Sequence, residues 1–182
     1  KKWGFFPSAS FAWRIIQEDF LKNQTVLSDL KLRTGYGQVG RNPIAPYATF
    51  GSIKRLENSF GGNPAFGFQP EDIANPDLKW ETTKEWNFGV DFGLFDNKLS
   101  GSFDYFTRET VDILTTPPIP SVLGEGQQRV LNGATTKTRG WEFALAYSTT
   151  FENELTFSVS TNFSSFRDEI TFLPEEVRAG FP

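Results

Sequence analysis

The sequence predicts an all-β fold, an antiparallel up-and-down transmembrane β-barrel segment of about six strands cut from a larger barrel. Three observations predict it. Apolar residues recur at every second position in six separate stretches. The positions between them are small or polar. The connections alternate between short turns and long loops.

Each strand follows from its own alternation. In 5–14 one parity reads Phe5, Pro7, Ala9, Phe11, Trp13 against Phe6, Ser8, Ser10, Ala12, Arg14. In 30–37, Leu30, Leu32, Thr34 and Tyr36 oppose Lys31, Arg33, Gly35 and Gly37. In 86–94, Trp86, Phe88, Val90, Phe92 and Leu94 oppose Asn87, Gly89, Asp91 and Gly93. Then come 99–105 (Leu99, Gly101, Phe103, Tyr105), 141–148 (Trp141, Phe143, Leu145, Tyr147) and 155–163 (Leu155, Phe157, Val159, Thr161, Phe163). Pooled, the apolar parity holds 27 positions and no charge, whereas a 22% charged composition puts about six there by chance. The other parity holds six charges in 24 positions: Arg14, Lys31, Arg33, Asp91, Asp104 and Glu142. Its remaining residues are mainly Gly, Ala, Ser, Thr and Asn. A wall with lipid outside and a hydrated lumen inside requires this partition. A water-facing sandwich strand carries Lys, Glu and Gln outward instead.

The turns fix the register. Asp96-Asn97 tolerates left-handed backbone, so 95–98 closes a hairpin that sets Leu94 against Leu99, Phe92 against Gly101, Val90 against Phe103 and Phe88 against Tyr105. A three-residue turn at Phe151-Glu152-Asn153, with Asn153 left-handed, sets Tyr147 against Phe157 and Leu145 against Val159. The 16–29 link is less regular and has room for one helical turn over 17–21. Two long excursions, 40–80 and 109–139, share the opposite end of the sheet; in an outer-membrane barrel the short turns are periplasmic and the long loops extracellular. The outer ends of the apolar parity are then Phe5, Tyr36, Trp86, Tyr105, Trp141 and Phe163, all aromatic, as a lipid-facing girdle demands.

Composition removes competing functions. With 182 residues and no Cys, His or Met, the chain has no disulfide scaffold, thiol nucleophile, imidazole base or thiolate metal site. Adjacent acids such as Glu71-Asp72 do not face one another across a substrate, so no catalytic residue is assigned and the protein is not expected to be an enzyme. Neither metal nor cofactor is expected. The net charge of −4 speaks against nucleic acid. Mean hydropathy is −0.37, but alternation hides barrel strands from window averages. The chain opens at Lys1-Lys2-Trp3 without an initiator Met or signal peptide, and six strands leave two edges unpaired. It therefore reads as one stretch of a longer barrel, with the other strands outside it.

The block Asn75-Pro76-Asp77-Leu78-Lys79-Trp80-Glu81-Thr82 resembles the N-P-x-L-K-W-E-T signature of SusC/RagA-type TonB-dependent outer-membrane transporters. Pro7 to Arg14, Leu32 to Gly37, Gly89 to Phe106 and Gly140 to Phe143 resemble further blocks of that family, in the same order. The resemblance implies a C-terminal-half section of a 22-stranded barrel in a Gram-negative outer membrane. It implies uptake of oligosaccharides or peptides, energised by TonB through a region absent from this chain, together with a plug domain that is also absent. A SusD-like lipoprotein is the implied lid. Two readings from other classes compete: a passive porin or adhesin-type barrel, and a soluble carbohydrate-binding sandwich.

Candidate contact residues follow. Tyr47, Phe50, Phe66 and Phe68 lie in the first long loop, as stacking surfaces for substrate, as docking points for the lid, or as packing for the loop itself. The prolines of Thr116-Pro117-Pro118-Ile119-Pro120 and the following Gly124-Glu125-Gly126 make a second stiff lid contact. Lys31, Arg33, Asp91, Asp104 and Glu142 line the lumen. The register brings Asp91 and Asp104 onto one patch, so a neighbouring cation is expected there.

Overall fold

A computed structural model describes residues 3–44, 49–117 and 130–178. Six strands form one antiparallel sheet: β1 (Ser8–Arg14), β2 (Leu27–Arg41), β5 (Glu81–Leu94), β6 (Leu99–Thr115), β7 (Leu131–Thr150) and β8 (Thr156–Phe172), in that spatial order. β3 (Ser52–Phe60) and β4 (Asn63–Asp72) make a separate two-stranded hairpin. The sheet stays open, with β1 and β8 at its edges. Two 3-10 turns, Ile15–Gln17 and Asp19–Leu21, join β1 to β2, and a short helix α1 (Glu175–Arg178) follows β8.

The apolar parities of the six strands merge into one face. Trp13 pairs with Leu32, Leu32 with Val90, Val90 with Phe103, Phe103 with Phe143, and Phe143 with Phe163. No second layer covers these rings among the described residues. Phe88 is 50% exposed, Phe103 42% and Phe163 55%, and no large side chain among the described residues is fully buried. In a sandwich these positions form the core between sheets. Here the only buried apolar residues described are Leu78, Leu131 and Val177, all near the long-loop end. A bare apolar face of this extent marks contact with lipid or protein, not with water.

The β5–β6 hairpin has the register that its turn residues predict, from Leu94↔Leu99 to Phe88↔Tyr105. Phe95, Asp96 and Asn97 all adopt positive φ, at 54°, 58° and 61°. The β7–β8 hairpin departs from expectation. Tyr147 pairs with Val159 and Leu145 with Thr161, two residues away from the predicted partners. The turn is wider, because Glu154 (φ 65°), not Asn153, takes the left-handed position, while Asn153 Oδ1 accepts the Leu155 N–H at 3.2 Å. A shift of two preserves the side-chain parity, so the faces do not change.

Other boundaries also differ. β1 begins at Ser8, and Phe5 lies before it and is 86% exposed. Pro7 accepts from Gln38 N at 2.9 Å but has no N–H to return, so the ladder ends there. The 40–80 excursion contains the β3–β4 hairpin, whose Gly61-Gly62 turn has φ 59° and 81°. The 109–139 excursion is mostly strand, since β6 runs to Thr115 and β7 starts at Leu131.

Candidate functional site

The polar face concentrates its charge at one crossing. Arg33 on β2, Gly89 on β5, Asp104 on β6 and Glu142 on β7 occupy one rung of the ladder. Arg33 grips Asp91 with two bonds, Nε to Oδ2 and Nη2 to Oδ1, both 2.8 Å. Its Nη2 also donates to Asp104 Oδ2 at 3.0 Å. Lys31 Nζ lies 3.7 Å from Asp91 Oδ2. One guanidinium thus answers two carboxylates that otherwise repel. Gly89 makes the reach available: a Cβ there meets Asp104 Oδ1 at 2.6 Å and Arg33 Cζ at 2.7 Å. Glu142 sits beside Asp104 in the register, outside this ion-pair set.

The aromatic ends of the apolar face descend in steps. Tyr36 pairs with Trp86, and their rings lie 4.6 Å apart. Trp86 then pairs with Thr107, two residues beyond Tyr105. Tyr105 pairs with Trp141, and Trp141 with Ser165, two residues beyond Phe163. The aromatic line therefore drops two residues for every two strands crossed. At about 3.3 Å per residue and about 4.8 Å per strand, a level line requires strands inclined by about 35°. Transmembrane barrel strands incline by about 35–45°.

The signature block is a clasp. Asn75 Oδ1 accepts the Asp77 N–H at 3.2 Å, closing a local turn, while its Nδ2 donates to Val130 O at 2.8 Å. Asn132 on β7 returns the grip: Lys79 N donates to its Oδ1 at 2.8 Å, and its Nδ2 donates to Lys79 O at 2.9 Å and Asp112 O at 2.8 Å. Buried Glu81 accepts the Leu114 N–H at 2.9 Å. Leu78, 5% exposed, is the apolar pin. The block thereby ties the entry of β5 to the ends of β6 and β7. Glu81 lies within the block that the sequence singles out, but its bond, like Asn132 altogether, escapes sequence reasoning, since the partners are backbone groups.

Of the loop aromatics, Phe66 and Phe68 lie on β4, opposite Glu57 and Arg55. They are 56% and 74% exposed, and the Arg55 guanidinium stands 3.7 Å over the Phe66 ring. Phe50 precedes β3 and is also exposed. Tyr47, the segment Pro118-Ile119-Pro120 and Gly124-Glu125-Gly126 lie outside the described residues.

A single open sheet, apolar on one side and charged at a central crossing on the other, is a piece of β-barrel wall. The chain belongs to the TonB dependent receptor-like, beta-barrel family, which it matches over residues 1–179. It is 35% identical over 174 residues to TonB-dependent receptor P3 of Formosa agariphila, covering 96% of this chain and 17% of that protein. It is 32% identical over 176 residues to TonB-dependent receptor SusC of Bacteroides thetaiotaomicron, covering 94% of this chain and 18% of that protein. Among solved structures it is similar to the RagAB peptide transporter, with 30% identity and a TM-score of 0.78 over 92% of this chain and 18% of that one. The chain thus spans less than a fifth of the length of these relatives.

Proposed function

We propose that this chain is a stretch of wall and outward loop in a TonB-dependent outer-membrane importer of large nutrients such as oligosaccharides or peptides. In this reading its apolar face meets lipid, with Tyr36, Trp86, Tyr105, Trp141 and Phe163 in the outer girdle, and Lys31, Arg33, Asp91, Asp104 and Glu142 border the lumen. The short turns are periplasmic and the long-loop end extracellular. The remaining strands of a 22-stranded barrel, the plug and the TonB-contacting region belong to the rest of the protein. The whole chain is one part of a single barrel domain, and no residue in it is assigned a catalytic role.

The observation that carries the reading is the single-layer sheet with an uncovered apolar face. The open edges support it, because unpaired backbone in lipid costs several kcal/mol per group and only further strands relieve it. The likeness to SusC and to the RagAB transporter supports TonB-linked import and a SusD-like lid. The exposed Phe66, Phe68 and Phe50 suit the lid or substrate surface, being rigid apolar rings on a hairpin near the mouth.

The test is uptake by cells expressing the full-length protein, with and without TonB, using labelled oligosaccharides and peptides. Import that stops without TonB is the expected result. Import that persists without TonB indicates a passive porin. Phe66→Ser with Phe68→Ser is expected to leave the barrel inserted while weakening lid capture about tenfold.

A further inference from the structure

Above the aromatic line the outward parity changes from apolar to charged within two residues. The first rung reads Trp86, Thr107, Arg139 and Arg167 across β5 to β8. The next reads Lys84, Glu109, Lys137 and Glu169. The upper rung alternates in sign and compensates itself. The lower rung does not, since it sets two arginines directly opposite each other. Like charges in direct cross-strand positions destabilise a sheet.

The neighbours of Arg139 are known on both sides. At its own level they are Thr107 and Arg167, and one rung lower they are Tyr105 and Ser165. The acids Glu109 and Glu169 stand one rung higher, opposite Lys137. Arg167 draws on Glu169, Nε to Oε1 at 3.1 Å, in a pair exposed to 83% and 46%. Arg139 makes no ion pair among the described residues and is itself exposed. Its Cα lies two residues beyond Trp141, about 6.6 Å along the strand and about 5 Å in height at the inclination found above.

From this geometry, and resting on the outer-membrane reading, we infer that Arg139 and Arg167 form a docking site for the phosphate of a lipid headgroup in the outer leaflet. The guanidinium fork matches phosphate oxygens in pairs, and two facing forks accept one phosphate between them. The height fits. Trp141 and Tyr105 mark the edge of hydrocarbon, and headgroup phosphates lie just beyond it. The charge fits too, because this site holds a local excess of cations in a chain of net charge −4. A lipid held here would cover the unbalanced pair and fix the barrel's depth.

The full-length receptor is reconstituted into phosphatidylcholine vesicles containing diphosphoryl lipid A or its dephosphorylated form. Lipid A retained per receptor after detergent extraction is counted by mass spectrometry, and insertion is scored separately by co-flotation with the vesicles. Preferential retention of the diphosphoryl form is expected, with a loss of about tenfold in Arg139→Gln/Arg167→Gln. Lys137→Gln, flanked by two acids, is expected to change retention by less than about twofold. Arg139→Lys, which keeps the charge and loses the fork, is expected to fall between. Co-flotation with equal retention of both forms, or retention unchanged by the double substitution, overturns the inference and leaves the barrel standing. Displacement by inorganic phosphate as readily as by free lipid A overturns it in favour of a simple anion site. Failure of the unaltered receptor to co-float overturns the membrane reading itself, and this inference with it.

Discussion

Arg33 bonds to Asp104 across an intervening strand, Nη2 to Oδ2 at 3.0 Å, by passing over Gly89. Strands β2 and β6 are not paired, since β5 lies between them, so this bond and the Arg33–Asp91 fork lock three strands together. The glycine is needed here for space rather than for φ.

Gly89→Ala is therefore expected to break the reach to Asp104. The lost charged hydrogen bond costs about 1.5–3 kcal/mol, read as a lowered urea midpoint of the full-length receptor in micelles. In a double-mutant cycle with Asp104→Asn the double variant is expected to lose less stability than the sum of the two single losses. Full additivity contradicts a shared bond.

Asn132→Ala removes both the acceptor for Lys79 N–H and the donor to Lys79 O and Asp112 O. The expected outcome is faster hydrogen exchange at the Lys79 amide, by about tenfold, for a local loss of about 1–2 kcal/mol. Asn132→Asp keeps the acceptor, so the Lys79 amide stays protected while the tie to Asp112 is lost.

Asp112 holds φ 57° at the point where the β6–β7 register shifts between Thr110 and Ile113. A β-branched side chain there is strained. Asp112→Val is expected to cost about 1–2 kcal/mol and to raise exchange at the Leu114 amide, whereas Asp112→Gly keeps or improves protection.

The sequence makes the apolar and polar faces legible because a half-wetted strand writes itself with period two. Phe88, Val90, Phe103 and Phe143 needed no more than that. The β5–β6 register was legible because Asp96-Asn97 announces a tight turn. The β7–β8 register was not, since Glu154 gives no sign that it will take positive φ. The β3–β4 hairpin does leave a signal in the sequence: Gly61-Gly62 between two alternating runs marks a two-residue hairpin turn. The outer halves of β6 and β7 escaped because each parity mixes charged, polar and apolar residues, as Glu109, Val111 and Ile113 do on one side of β6, and alternation fades without a consistently apolar side. The Arg33 bridge was half legible. Two acids on one patch called for a cation, but which one depended on the β2–β5 pairing, fixed by no short turn. The signature block marked Glu81 as a residue but not its partner, and Asn132 left no mark, because sequence does not display side chains bonded to distant backbone.

The central claim is that the apolar face touches hydrocarbon, and spin labels at positions 88 and 143 of the full-length receptor in vesicles test it most directly. Lipid-dissolved oxygen is expected to relax both labels strongly and a water-soluble nickel chelate hardly at all. Stronger relaxation by the nickel chelate than by oxygen contradicts the claim.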